Sequence, residues 1–290
     1  MESELDEAAV ERAAQGLCLA LPRVPHRGRV GEVRASSVGA SMEIHDFRAY
    51  QPGDDLRQVD WNAVARTGEL ILRVRQDEVS PRVEVVLDGS ASMALTGVKA
   101  SRAREVALLL CRVAHRQGLE PTLVVASRAP RRGQGLECAA LLRSAGFDAR
   151  DDLAQGLRRA PPLRPCGLRL VVSDFLFETD LERFTERLAK GAAGLFLVQL
   201  LDAEDAQPSG GVGARLVDCE TGEALDRVLS EAVLEGYARR LEQHQRLLGA
   251  SAQRVRARLC TAVADKGVDE LVRGPLRPLF ETAQVRAGLG

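Results

Sequence analysis

Between residues 82 and 202, short β-branched runs alternate with helical patterns, and that alternation leaves few architectures open. Val83 to Leu87 is one such run; it breaks into Asp88-Gly89-Ser90 and reads as a buried strand ending in a loop. Ala103, Val106, Ala107, Leu110 and Ala114 then recur at three- and four-residue intervals, which predicts a long helix that Gly118 stops. Further strands are predicted at 121–127, 168–172 and 194–201, with helices over 136–145, 151–159 and 180–190 between them. The Gly- and Arg-rich stretch 128–135 reads as a loop. Such an order implies an α/β fold, a mostly parallel sheet with helices on both faces. In sheets of this kind ligands bind at the carboxyl ends of the strands, and Asp88 and Asp174 both fall there.

The flanks differ in pattern. Residues 27–48 and 69–79 contain short alternating stretches that suit a small β layer, and 215–228 reads as a hairpin around Thr221-Gly222 that could complete it. Leu234, Leu241, Leu248 and Val255 fall seven apart and predict an amphipathic helix from about 230 to 264, packed on its own domain. At roughly 150 residues per domain, 290 residues make about two domains. The expected boundaries are 1–80, 81–203 and 204–290, with the central α/β unit inserted in the β layer.

Composition narrows the function. Forty basic groups stand against 41 acidic ones, and aromatics make up 3% of the chain, so neither a general positive field nor stacking rings invite nucleic acid. Glu2, Glu4, Asp6 and Glu7 reverse the charge of a signal-peptide start, and no apolar run is long enough to span a bilayer. The expectation is a cytoplasmic protein without direct membrane insertion. The six cysteines form no C-x-x-C pair and read as small buried hydrophobes. Lysine occurs only at 99, 190 and 266, so nearly all positive charge is arginine.

The most informative motif is D-G-S-A-S-M at 88–93, a carboxylate and two hydroxyls alternating just after a strand. One loop can turn the oxygens of Asp88, Ser90 and Ser92 into one pocket, and Asp174 would add a second carboxylate. Hard divalent cations such as Mg2+ take oxygen donors of this kind; the bland alternative is a loop whose serines cap the next helix. Upstream, R-A-Y-Q-P-G-D-D-L-R-Q-V-D-W-N-A-V-A-R covers 48–66. Pro52-Gly53 makes a turn, Asp54 or Asp55 can cap a helix, and Leu56, Val59 and Trp61 can anchor it. Arg48, Arg57 and Arg66 stand among Asp54, Asp55 and Asp60, a set suited to a structural clamp.

The strand-end arrangement resembles a von Willebrand factor A domain, whose metal-ion-dependent adhesion site has the form D-x-S-x-S plus a threonine and a second aspartate. By that resemblance Asp88, Ser90, Ser92 and Asp174 hold the cation, and the metal's open position takes an acidic side chain of a partner. The sequence departs at the threonine: the matching stretch reads A-R-D-D-L-A-Q-G-L, with Asp151 in its place. Residues 48–66 together with D-x-S-x-S-M resemble the bacterial domain-of-unknown-function family 58, in which R-x-Y-x-x-G-D-D-x-R-x-I-D-W-x-x-x-A-R precedes a von Willebrand A-like domain. The resemblance covers about 27–230, carries over to Arg48, Tyr50, Gly53, Asp54, Asp55, Arg57, Asp60, Trp61 and Arg66, and has Val59 for the usual isoleucine. It implies association with a MoxR-type AAA+ ATPase and a target protein in assembly or chaperone-like work. The chain has no G-x-x-x-x-G-K-[ST], so it would be the adaptor and not the ATPase. The expectation is a non-enzymatic, metal-dependent interaction module. The rivals are a metal-free scaffold and a Mg-dependent hydrolase, the second disfavoured because Ser90 stands where aspartyl-phosphate chemistry needs an acid.

Overall fold

The computed structural model describes residues 5–21, 46–49, 59, 61–74, 82–208, 211–217, 219, 222 and 224–282. In chain order its regular elements begin with α1 (Glu7–Ala13), β1 (Leu17–Leu19), β2 (Asp46–Ala49), α2 (Trp61–Thr67) and β3 (Ile71–Val74). There follow β4 (Val83–Asp88), α3 (Gly97–Arg116), β5 (Pro121–Ala126), β6 (Arg131–Gln134), α4 (Glu137–Arg143), α5 (Leu153–Arg159) and β7 (Leu168–Ser173). The rest are α6 (Leu181–Ala189), β8 (Leu195–Leu201), α7 (Ala203–Ala206), β9 (Gly211–Val217), β10 (Ala224–Leu229), α8 (Glu231–Arg254), β11 (Arg258–Val263), α9 (Val268–Arg273) and β12 (Phe280–Thr282).

Six strands form the central sheet in the order β11-β8-β7-β4-β5-β6. All pairings are parallel except β5 with β6. Every residue of β4, β7 and β8 is buried, which is why these runs are mostly apolar instead of alternating, with Glu84, Arg169 and Gln199 as buried polar exceptions inside them. Successive residues of β4 serve opposite faces: Val83, Val85 and Leu87 pack into a core with α1, α3, α4 and α9, while Val86 joins one with α5, α6 and the end of α8. The fold is thus mixed α/β with helices on both faces. The chain leaves β4 toward β5 on one side and later returns to β7 on the other. The carboxyl ends of β4 and β7 therefore flank a topological switch point.

Two elements differ from expectation. The 128–135 segment contains the short edge strand β6, which the Gly and Arg content had read as loop. The helix predicted to reach 264 ends at Arg254. Arg256 takes a left-handed φ of 55°, and Ala257 N donates to Ala252 O at 2.8 Å, closing the helix end. Leu259, inside the span predicted as helix, instead pairs with Leu197 across β11 and β8. Neighbouring β8 supplies a row of backbone partners that the local pattern does not reveal. By contrast α3 stops where the sequence indicated: Gly118 has φ +73°, and Leu119 N reaches back to Ala114 O.

The chain divides into two compact units, one of residues 1–36 and 80–290 and the other Ser37–Val79. In the larger unit β9 and β10 pair with each other as an antiparallel hairpin, with Gly222 at φ +77° in the connection. In the smaller unit β2 pairs antiparallel with β3, Arg48 lying opposite Leu72. Among the described residues the hairpin is a two-stranded sheet of its own, and β2–β3 is another.

Candidate functional site

Asp88 ends β4 and is 1% exposed. Gly89 follows because nothing larger fits: a Cβ there would sit 2.6 Å from the Cα of Ser127 at the end of β5. The loop then turns back, and Ser90 N donates to Asp88 Oδ1 at 2.9 Å. Ala91 N and Ala149 N each bond across to the neighbouring loop, on Ala149 O and Gly89 O respectively. A single 3-10 turn over Ala91–Ala94 brings the Ser92 hydroxyl within 2.9 Å of the Ser90 hydroxyl. Ser90 is buried and Ser92 half-buried, so Ser92 marks the side from which the loop is reached.

On the next strand, Ser173 Oγ donates to Asp88 Oδ2 at 2.6 Å. Asp174 follows it, 2% exposed, and accepts from Leu176 N on Oδ1 at 3.1 Å. Its carboxylate lies close enough to act electrostatically on Asp88. Burial first, and the Asp174 charge second, push the Asp88 carboxyl up to about 7 against the pull of its hydrogen bonds from Ser173 and Ser90. Nothing cationic pairs with Asp88 among the described ion pairs.

Asp174 has such a partner. Lys99, in the first turn of α3 and fully buried, places Nζ 3.0 Å from Asp174 Oδ2 and 2.9 Å from Asp205 Oδ2. Burial pulls the Lys99 ammonium down, but the carboxylates of Asp174 and Asp205 outweigh it and the net shift is upward. Asp205 belongs to α7, whose N-cap Asp202 ends the β8 crossing and accepts from Thr96, the N-cap of α3. Helix α8 braces both strand-end loops: Tyr237 donates to Asp205 O at 2.7 Å and His244 Nε2 lies 2.6 Å from Phe175 O.

The structure thus brings together Asp88, Ser90, Ser92 and Asp174 at one end of the sheet. The Asp151 carboxylate is paired with Arg159. Its neighbour Asp152 caps α5 through Gln155 N and accepts from Thr179 Oγ1 at 2.9 Å. Of the upstream motif, Tyr50, Gly53, Asp54, Asp55, Arg57 and Asp60 lie outside the described residues. Arg48 is placed in β2 by its backbone, Arg66 sits in the last turn of α2, and Val59 is buried. Trp61, expected to anchor the helix, opens α2 with 61% of its surface exposed, so Val59 is the inward member of that pair.

Sequence reasoning missed Lys99, Ser173, Asp202 and Asp205. A signal existed for two of them: Lys99 is one of three lysines in an arginine-rich chain, and the strand-end rule applied to β8 would have reached Asp202. The donors around Asp88 fit a hard cation in kind. They are oxygens, and two cis positions of an octahedron with 2.0–2.1 Å bonds lie about 2.9 Å apart, the separation of the two serine hydroxyls. Among the described residues, however, no cluster of three or more His, Cys, Asp or Glu side chains gathers as a metal cage.

Comparison with known proteins adds family and little chemistry. Uncharacterized proteins Mb1516 of Mycobacterium bovis and Rv1480 of Mycobacterium tuberculosis are each 26% identical over 230 residues, covering 71% of this chain and 70% of theirs. A solved structure, the conserved hypothetical protein BatB from Bacteroides thetaiotaomicron, aligns with TM-score 0.37 at 11% identity, over 69% of this chain and 98% of that one. An aerotolerance-related membrane protein from Bacteroides fragilis aligns with TM-score 0.30 at 13% identity, over 61% and 98%. In this chain no helix among the described residues is long and apolar enough to cross a membrane. The profile of the protein of unknown function DUF58 matches residues 46–247, well over half of the sequence, and the chain belongs to that family.

Proposed function

We propose that this chain is a non-enzymatic, metal-dependent docking module with a von Willebrand A-like core. On this reading it works in the cytoplasm as adaptor to a MoxR-type AAA+ ATPase, in the assembly or chaperone-like activation of a target complex. The observation that carries it is Asp88: a carboxylate buried at a switch point, flanked by the paired hydroxyls of Ser90 and Ser92, with a second carboxylate beside it and no cation of its own among the described residues. A buried charge without a counter-ion is costly, and a bound Mg2+ would relieve that cost. Asp88, Ser90 and Ser92 would hold the ion, with Asp174 close by. Asp151 would join only by leaving Arg159. Bound there, the cation would supply a positive point for a partner's carboxylate.

The surroundings suit a protein partner. Leu95 (51% exposed) and Val98 (49%) lie just beyond Ser92, and Leu176, whose N–H holds Asp174, is also exposed. Exposed apolar side chains beside a recessed polar site offer surface that a partner can bury. The experiment is capture of a purified MoxR-type ATPase by the full chain, in Mg2+ and in chelator. Retention only with metal, abolished by Asp88→Ala in a protein that still melts cooperatively, supports the reading. Equal capture in both conditions removes the metal.

One observation favours a second reading. Lys99 already supplies a positive charge at Asp174, so the site is half neutralised without any ion. If Lys99 is the resident cation, the chain is a metal-free scaffold and Mg2+ leaves its melting temperature unchanged.

A further inference from the structure

At the opposite end of the same sheet, the amino ends of β4, β5 and β7 open on a cavity of about 490 Å3. That size lies within the range of small-ligand pockets. Its floor includes Glu84, a buried carboxylate whose charge is already met. Arg169 Nε bonds Glu84 Oε2 at 2.9 Å and Arg132 Nη2 bonds Oε1 at 3.2 Å.

The walls carry Arg82, Arg164 and His115, and among the described residues none of these three side chains has a hydrogen-bond or ion-pair partner. Their backbones, in contrast, are pinned. Arg82 O accepts from Gly167 N at 2.9 Å, Arg164 N donates to Glu84 Oε1, and Arg164 O accepts from Arg169 Nη2 at 2.7 Å. His115 closes α3, its carbonyl bonded to Gly118 N. The one lining carboxylate not paired within the molecule is Glu120. Two guanidinium forks and an imidazole therefore border a small concave space, held at fixed roots and lacking acceptors. Guanidinium groups so placed match oxyanions that accept in pairs.

We propose that this cavity binds a small, multiply charged oxyanion, with Arg82 and Arg164 as its principal contacts and His115 as a third donor. The ligand chemistry is shared by phosphate esters and polycarboxylates, and the assignment stands apart from the docking role at the other end of the sheet.

Calorimetric titration of the full chain with pyrophosphate and with citrate, after chelator treatment and dialysis into metal-free buffer so that the Asp88 site takes no metal, tests it. Saturable binding of at least one anion is expected, and the tighter of the two identifies the source. The double variant R82A/R164A should weaken binding at least about tenfold, or 1.4 kcal/mol. Glu120→Gln should tighten it by several-fold, because a repelling carboxylate is removed. Asp88→Ala should leave it unchanged. Both arginines and Glu120 are exposed, so folding should survive, as melting curves will verify. Absence of saturable binding of either anion at millimolar concentration overturns the proposal, as does undiminished binding by a folded double variant.

Discussion

Strand β4 carries two buried carboxylates on one face, four residues apart, and the protein treats them differently. Glu84, 2% exposed, is met by Arg169 and Arg132 and by the N–H of Arg164; Arg169 in turn is fully buried and bonds the carbonyls of Leu188, Lys190 and Arg164. Asp88, 1% exposed, receives one hydroxyl and one N–H, and its neighbour in charge is another carboxylate. The first arrangement is closed, every charge answered within the fold. The second is left short of positive charge at the place where a parallel sheet exposes its ligand-binding crevice. Burial alone therefore does not separate structural from functional carboxylates; the completeness of their partners does.

Four perturbations would break or sharpen this contrast. The largest loss is expected from Arg169→Ala, which removes the buried one of the two guanidinium partners of Glu84 and the donor to three carbonyls, and should cost about 3–5 kcal/mol in chemical denaturation. A loss under about 1 kcal/mol would show that the Glu84 end is not the closed unit described. Lys99→Met should cost less, about 2 kcal/mol, because Asp174 can take up a proton when its counter-ion is gone. If Mg2+ binds, it should raise the melting temperature of this variant more than that of the parent, and an equal or absent rise would separate Lys99 from the cation site.

Gly89→Ala drives a methyl group into the backbone of Ser127 and should cost about 1–3 kcal/mol. Wild-type stability in that variant would mean that the β4–β5 approach is looser than its distances indicate.

The smallest effect is on pH dependence. In the folded, metal-free protein the Asp88 carboxyl keeps its proton up to about 7, while in the unfolded chain it ionises near 3.8. Unfolding then releases a proton between those values, so this group makes stability fall as pH rises through that window. Asp88→Asn should flatten the decline and remove any Mg2+-induced stabilisation. An unaltered slope would show that Asp88 already has a countercharge.

The central sheet was legible because its inner strands are buried on both faces and therefore predominantly apolar, with Gly118 marking the end of α3. Strand β11 was not legible: Arg258 to Val263 is half-exposed at the sheet edge, and its identity comes from pairing with β8, sixty-odd residues earlier in the sequence. The same limit applies to the site. Asp88, Ser90 and Ser92 are neighbours in the chain and could be grouped by spacing, and Asp174 by the strand-end rule. Lys99 reaches Asp174 across 75 residues and Ser173 reaches Asp88 across 85, distances that only the fold closes. Asp151 was grouped by the family resemblance, which sets it where a threonine is usual, and its carboxylate pairs instead with Arg159 at the end of α5.

Tyr237 and His244 stand seven residues apart, two turns along one side of α8, and each grips a main-chain oxygen of a different strand-end loop. Those loops carry Asp205 and Asp174, the two anions that clasp Lys99. The helix and the charged crevice are thereby fastened together: neither loop can be drawn outward without letting go of α8, and whatever pulls α8 from its seat must first undo the bonds that keep the crevice in register.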